Sequence, residues 1–157
     1  MKVSLRAYRP DEFERICDIR ELDTPERRER FIARISQGAI WIDHYLHLAI
    51  DVDGALAGDV QLRKCDFTRP EGALEMGLEL DASLRGKGIG TLALQATTEY
   101  AFSIGAHRIE GSTDIENIAM RRAFEKAGWN FEGVLRALFI EGGVPRDYYS
   151  YAITKFD

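Results

Sequence analysis

The chain has 157 residues, of which 45% are hydrophobic and 30% charged, and its formal net charge is −5 at pH 7. This size and composition predict one globular domain over residues 1–157, and the acidic balance disfavours nucleic-acid binding, which needs a basic face. No apolar run approaches the ~20 residues that span a bilayer, and the N-terminus lacks the apolar core of a signal peptide, so we expect a cytoplasmic protein without membrane segments.

The first part of the chain predicts a strand followed by two helices. Apolar and polar residues alternate over 3–9, which is typical of a half-buried strand. Residues 10–21 place their apolar side chains on one helical face. A second helix over 23–36 has Thr24 as its N-cap and Pro25 at its first helical position.

The middle of the chain predicts a hairpin and a further strand. Two apolar-rich runs within 47–64 flank Asp53-Gly54, a pair that supplies the positive φ angles of a tight turn. The segment 72–81 then alternates again as a strand. Three strands therefore follow the two helices.

The second half of the chain predicts two helices, each followed by strand sequence. The predicted elements are a helix over 90–105 ending at Gly105, a strand over 107–114, a helix over 117–128 capped by Asn117, and a closing hairpin over 134–153 with its turn near 142–145. The complete order is β-α-α-β-β-β-α-β-α-β-β. Hairpins mixed with strand–helix–strand units predict an α/β (α+β) fold, a mixed sheet flanked by helices.

A glycine-rich loop with two basic residues opens directly into the third helix. Gly86, Gly88 and Gly90 alternate with Lys87 and follow Arg85. Amides at a helix N-terminus lack partners and attract anions, and glycines let those amides approach closely. The loop therefore predicts a pyrophosphate site. The alternative is a tight turn with solvated charges.

Two common phosphate-binding motifs do not match this loop. The P-loop pattern is absent, and a dinucleotide fingerprint begun at Gly86 would need its last glycine where Thr91 stands. Glu110 lies where such a fold would place its ribose-binding acid, which keeps a nucleotide-binding oxidoreductase open as an alternative. The motif sits in mid-chain after hairpins, however, and leaves too little sequence for a doubly wound sheet and a substrate site.

The cysteines and histidines give no sign of a metal or disulfide framework. Cys17 and Cys65 suit a reducing compartment. The three histidines lack His, Cys or carboxylate neighbours at ligand spacing, so we expect no metal.

Several segments together resemble one enzyme family. Arg85-x-x-Gly88-x-Gly90 resembles the [RQ]-x-x-G-x-[GA] loop of the GNAT superfamily of acyl-CoA-dependent N-acyltransferases. Residues 117–133 resemble its second signature, and residues 4–21 its first strand and helix. Residues 142–153 resemble the closing hairpin of the branch that acetylates protein N-terminal amines, such as those of ribosomal proteins.

The resemblance implies a sheet that splays open after its fourth strand and holds acetyl-CoA in the gap. The implied cofactor-binding residues form three groups: strand positions for the pantetheine arm, loop amides for the pyrophosphate, and three residues of the helix predicted over 117–128. They are Leu78, Glu79 and Leu80, then Arg85, Gly86, Lys87, Gly88, Ile89, Gly90 and Thr91, and finally Asn117, Phe124 and Lys126. Asn117 equally suits a plain helix cap, and Lys126 a solvated surface charge.

The reaction implied is direct attack of an amine on the thioester, which requires a base because amines are mostly protonated near neutral pH. Strand alternation puts Glu75, Gly77 and Glu79 on one face, which must be open because two buried carboxylates are costly. Glu75 matches a glutamate that some family members place by the acceptor, and we predict it as the base. An exposed strand glutamate is the alternative.

Two expected proton donors are missing from this chain. Phe124 stands where many members carry Tyr, and Met120 where the N-terminal-amine branch often carries Ser. A thiolate can leave unaided, so activity is still expected, with Tyr148, Tyr149 or Tyr151 as possible substitutes. A non-catalytic acyl-CoA-binding regulatory module is the alternative that these departures keep open.

The acceptor is predicted only as a class. The acidic balance suits a cationic amine, either a peptide N-terminus or a small molecule such as a polyamine or antibiotic. Trp41, His44 and Tyr45 are candidates to line its pocket, although such aromatic runs are more often core. Exposed edge strands make a homodimer plausible.

Overall fold

A computed structural model describes all 157 residues, and its seven strands form one mixed sheet. The strands are β1 (Val3–Arg6), β2 (Tyr45–Val52), β3 (Ala55–Lys64), β4 (Ala73–Leu80), β5 (Arg108–Asp114), β6 (Asn130–Glu141) and β7 (Val144–Thr154). They lie in the order β1-β2-β3-β4-β5-β7-β6, and β4 with β5 is the parallel pair in an otherwise antiparallel sheet. The predicted fold class is confirmed.

Four α-helices flank the sheet in the predicted order. They are α1 (Phe13–Ile19), α2 (Pro25–Ile35), α3 (Ile89–Ser103) and α4 (Ile118–Lys126), with short 3₁₀ helices at Pro10–Glu12 and Ala82–Leu84. Both predicted side-chain caps are confirmed, because Thr24 accepts from the Arg27 amide and Asn117 from the Met120 amide. None of the helices has the length and apolarity that crossing a membrane requires.

The element boundaries differ from the prediction where side chains leave the local pattern. The strand predicted over 3–9 ends at Arg6, because Tyr8 turns inward and its hydroxyl donates to Asp59. The helix predicted over 10–21 divides into a 3₁₀ turn and the seven residues of α1. The closing turn is the pair Gly142-Gly143 alone, since β7 already begins at Val144.

The sheet separates two hydrophobic clusters. The larger one, of 18 buried residues, lies between the sheet and α3 with α4, on what we call the α3 face. The smaller one has seven buried residues and lies under α1 and α2, on the α1 face. Alternation along β4 assigns Met76 to the α3 face, so Glu75, Gly77 and Glu79 belong to the α1 face.

A buried polar network fixes α1 over the sheet. The Asp59 carboxylate on β3 is only 1% exposed, and it accepts hydrogen bonds from Tyr8 and from Arg20 at 2.6 Å. His47 Nδ1 lies 3.1 Å from the same carboxylate. Breaking a buried pair of this kind typically costs several kcal/mol, so the network holds the end of α1 at a fixed height above β3.

Strands β3 and β4 approach unusually closely at one glycine. A Cβ atom at Gly58 would lie 2.0 Å from the Glu79 carbonyl oxygen and 3.1 Å from the Leu80 Cα. Only a residue without a side chain fits there. Gly58 therefore sets the position of the C-terminal end of β4.

Candidate active site

The glycine loop joins β4 to α3 through a conformation that requires glycine at two positions. Gly86 and Gly88 have φ angles of +76° and +81°, in the left-handed region. Gly88 is also the N-cap of α3 and contributes no side-chain cap. Asp81 braces the start of the loop by accepting from the Ser83 amide and hydroxyl at 3.0 and 2.9 Å.

Six successive main-chain amides in this loop, from Gly86 to Thr91, donate to no acceptor within the chain. They lie at the positive end of α3, a helix of 15 residues. Arg85 and Lys87 are exposed beside them, and neither forms an ion pair. The loop thus presents a concentration of unpaired donors and positive charge that suits a polyphosphate.

The sheet opens next to this loop. Strands β4 and β5 pair only over Ala73–Glu75 and Arg108–Glu110, after which β4 follows β3 and β5 follows β7. The rest of β4, including Leu78, Glu79 and Leu80, therefore borders a gap on its β5 side. The splay implied by the family resemblance is present, with the loop at its mouth.

The remaining predicted cofactor residues lie on or beside α4. Phe124 is 1% exposed and stacks on Tyr151 with ring centroids 4.8 Å apart. Its ring edge also lies against Gly111 of β5, where the gap has opened. Asn117 and Lys126 are both exposed, Asn117 as the cap of α4 and Lys126 in its last turn.

Glu75 lies at the apex of the gap. It is the last β4 residue paired with β5, opposite Glu110, and it faces the cleft on the α1 face. Its carboxylate accepts from Arg63 of β3 at 2.9 Å, and both side chains are more than 40% exposed. An ion pair this exposed is weak, so the carboxylate can exchange Arg63 for another cation.

Glu79 is a second carboxylate on the same face, nearer the mouth of the gap. Its side chain is exposed as a whole, yet burial of the carboxyl end raises its pKa above the ordinary value. The positive charge of Arg20 lowers the pKa of Glu79, whereas the negative charge of Asp59 raises it. Sequence alternation predicted the shared face of the two glutamates but not these long-range neighbours.

Cys65 is a buried thiol near the apex that sequence reasoning did not connect with the site. Its Sγ lies 3.6 Å from Glu110, which also accepts from Arg108 at 2.7 Å. Burial, followed by the charge of Glu110, raises the pKa of Cys65 to about 11. The sulfur is therefore a protonated thiol at neutral pH and a poor nucleophile, which disfavours a covalent acyl-cysteine route.

The three candidate tyrosines of β7 have different surroundings. Tyr151 is buried against Phe124, and Tyr149 lies under the Arg121 guanidinium at 4.6 Å. Tyr148 is on the α1 face, beside Phe139. Only Tyr148 therefore shares a face with the two glutamates.

The aromatic residues that precede and begin β2 do not line the gap between β4 and β5. Trp41 and His44 border a cavity of about 280 Å³ at the other end of the sheet, beside the end of α3. Tyr45 packs under Arg34 on the α1 face. This cavity is thus separate from the glycine loop.

Comparison with known proteins gives one consistent answer. Residues 2–130 match the family model of the acetyltransferase (GNAT) domain. Probable N-acetyltransferase YjcK of Bacillus subtilis (strain 168) is 33% identical over 163 residues, covering 99% of this chain and 87% of that protein.

Solved structures agree in fold. A chimera of the Vibrio cholerae spermidine N-acetyltransferase SpeG and hSSAT superposes with a TM-score of 0.82 at 18% identity, covering 99% of this chain and 97% of that one. Mycobacterium smegmatis RimJ in complex with CoA-disulfide gives a TM-score of 0.76 at 23% identity, covering 98% and 82% of the two chains. These likenesses concern the fold, whereas the family model and the Bacillus relative concern the chemistry.

Proposed function

This chain belongs to the GNAT acetyltransferase family, and we propose that it transfers the acetyl group of acetyl-CoA to a primary amine on a small molecule or a peptide N-terminus. The observation that carries the proposal is the row of six unpaired amides at the mouth of the gap between β4 and β5. The alternative reading, a tight turn with solvated charges, gives no reason for these unpaired amides to lie beside a gap in the sheet.

This geometry supports the proposed cofactor-binding residues. The amides from Gly86 to Thr91, with Arg85 and Lys87, would hold the pyrophosphate. The main chain of Leu78, Glu79 and Leu80 would pair with the amide groups of the pantetheine arm. Asn117 and Phe124 would border the arm on the α4 side, and Lys126 would meet a phosphate or remain solvated.

We assign Glu75 as the base. It stands at the apex, where an arm that enters from the glycine loop and runs along β4 would end. The amine loses a proton to Glu75, directly or through water, and its lone pair forms the new C–N bond. The C–S bond then breaks, and the thiolate takes its proton from water, since Phe124 offers none.

The acceptor is proposed to be a cationic amine. Glu75 and Glu79 lie on one open face, and Glu79 is near enough to Arg20 at the end of α1 for that charge to lower its pKa. Carboxylates attract an ammonium group and lower the local concentration of anions. One structural neighbour, the SpeG chimera, is named a spermidine N-acetyltransferase, and spermidine is a cationic amine. We also propose that the chain forms a homodimer.

The decisive test is release of CoA thiol from acetyl-CoA across a panel of polyamines, aminoglycosides and short peptides. Glu75→Gln should lower the rate at least tenfold near neutral pH and leave acetyl-CoA affinity within twofold, because the side chain is remote from the loop. Glu99→Gln, an exposed change on α3, is the matched control. A fully active Glu75→Gln would remove that residue as base.

The alternatives give different results in the same assay. A regulatory acyl-CoA-binding module would bind acetyl-CoA and CoA equally tightly and release no thiol with any amine. A nucleotide-binding oxidoreductase would bind NAD(P) and not acetyl-CoA. Either outcome would overturn the proposed transfer.

A further inference from the structure

The cavity of about 280 Å³ beside the end of α3, which we call the β3–β4 cavity, has no role in the proposed transfer. Its floor is apolar, because Cys65, Ala73, Leu74 and Ala106 line it and are each at most 5% exposed. Protein interiors are normally filled to the density of an organic crystal. Here the small side chains of Cys65, Ala73 and Ala106 leave space open, and about 150 Å³ is already enough to hold one benzene molecule.

Three charged side chains line the same cavity and have no partner within the chain. Lys64, the last residue of β3, has its Nζ 4.8 Å from the centre of the Trp41 ring. Asp66 and Glu71 lie on the loop between β3 and β4. All three are exposed, and none of them forms an ion pair or a side-chain hydrogen bond. The cavity therefore combines one positive and two negative groups with an apolar floor.

The end of α3 adds a further partial charge to this cavity. Ile104 and Gly105 follow the last residue of the 15-residue helix and line the cavity. The C-terminal end of a helix is partially negative and favours a cation. A ligand with a single positive charge would leave Lys64 without a counter-ion, and a ligand with a single negative charge would leave the two carboxylates without one. A ligand that carries both charges complements the complete set.

We propose that the β3–β4 cavity binds an apolar α-amino acid in its free, zwitterionic form. The carboxylate of the ligand would pair with Lys64, its ammonium group with Asp66 or Glu71, and its side chain would lie on the apolar floor. Ligand sites of this kind are mostly apolar, with a few polar groups that fix orientation. None of the residues assigned to the cofactor or to the base lines this cavity, so it is a second site.

The test is titration calorimetry of the full chain, without acetyl-CoA, against L-phenylalanine and two analogues that each lack one charge. Phenethylamine lacks the carboxylate, and 3-phenylpropionate lacks the ammonium group. L-phenylalanine should bind with a dissociation constant below about 1 mM, and each analogue should bind about tenfold more weakly. Because acetyl-CoA is omitted, the result does not depend on the proposed transfer. Equal affinity for the three molecules, or no heat from L-phenylalanine at about 10 mM, would overturn the proposal.

Substitutions separate the contributions of the two charges. Lys64→Met should weaken L-phenylalanine about tenfold and leave phenethylamine unchanged, because only the amino acid has a carboxylate. The double variant Asp66→Asn, Glu71→Gln should weaken L-phenylalanine and leave 3-phenylpropionate unchanged. Lys2→Met removes an exposed lysine at the opposite end of β2 and is the control, which should leave all three affinities unchanged. Lys64→Met that binds L-phenylalanine as tightly as the wild type would contradict the assigned carboxylate contact.

Two further measurements locate the ligand. Ala106→Leu fills the floor of the cavity and should abolish L-phenylalanine binding, with circular dichroism to establish that the variant is folded. In the wild type, L-phenylalanine should slow the alkylation of Cys65 by iodoacetamide, measured by peptide mass spectrometry, and Cys17 in the other hydrophobic cluster is the internal control. The second measurement does not depend on the folding of a variant. Binding that survives Ala106→Leu in a folded protein, or alkylation of Cys65 at the same rate with and without the amino acid, would overturn the proposal.

Discussion

Replacing Gly58 with alanine should disturb the candidate cofactor gap from the opposite side of β4. The added Cβ would lie 2.0 Å from the Glu79 carbonyl oxygen, whereas ordinary contacts begin at 3.4 Å. The end of β4 must therefore withdraw by about 1.4 Å, the difference between these distances. Because β5 does not pair there, the strand would move into the gap.

The expected magnitudes follow from this displacement. Forcing a methyl group into a packed site costs about 1–3 kcal/mol, which for a chain of this size lowers the thermal midpoint by roughly 3–10 °C. Acetyl-CoA affinity should fall at least tenfold, because the main chain of Leu78–Leu80 borders the gap. Differential scanning calorimetry gives the midpoint, and titration calorimetry below it gives the affinity.

Gly77→Ala is the matched control for this experiment. It adds the same methyl group to the neighbouring strand, where no atom lies within 4 Å of the new Cβ. Its midpoint and acetyl-CoA affinity should remain close to the wild type. If Gly58→Ala were indistinguishable from Gly77→Ala in both measurements, the reasoning that Gly58 positions β4 would be refuted.

Three further predictions address the loop, the acid sensitivity and the cysteine. Gly88→Ala forces a left-handed φ of +81° on alanine, so we expect the protein to lose about 1–2 kcal/mol of stability. Titration calorimetry should also show weaker acetyl-CoA binding, and an unchanged affinity would contradict binding of the pyrophosphate by the loop amides. The hydrogen bond from Arg108 lowers the pKa of Glu132, so this pair contributes stability above the ordinary glutamate pKa and loses it as pH falls through the lowered native pKa. Arg108→Met should therefore lower the free energy of unfolding at pH 7 by less than about 1 kcal/mol relative to the wild type, and this free-energy difference should become smaller by pH 3. A free-energy difference that stays the same at both pH values would exclude this linkage. Cys65→Ser should keep the acetyl-transfer rate within about threefold, because the thiol is protonated at neutral pH, whereas loss of all activity would indicate an acyl-cysteine intermediate.

The order of elements was predictable because each has a local signal. Thr24 and Asn117 cap their helices, and Asp53-Gly54 forms the expected turn with both φ angles positive. The glycine loop was predictable for the same reason, since Gly86 and Gly88 supply conformations that other residues avoid. Boundaries failed where a side chain such as Tyr8 makes a distant contact that no local pattern encodes.

The surroundings of the candidate catalytic residues could not be predicted. Arg63 reaches Glu75 across neighbouring strands, and Cys65 meets Glu110 from 45 positions away. The network likewise joins Asp59 to residues from three other segments. Such contacts depend on strand register and helix placement, which emerge only from the complete packing. The unpaired edge of β6 was not predicted, because the apolar sequence of β6 is typical of a buried strand.

Because β4 and β5 pair over only three residues, this sheet has four unpaired strand edges where an ordinary open sheet has two. The two inner edges face each other across a narrow wedge. A strand of another protein cannot easily reach them, whereas an extended flexible chain of small cross-section can. A guest bound there would make one continuous hydrogen-bonded layer out of two half-sheets. The main-chain amides of β4 and β5 that border the wedge would then exchange with deuterium more slowly.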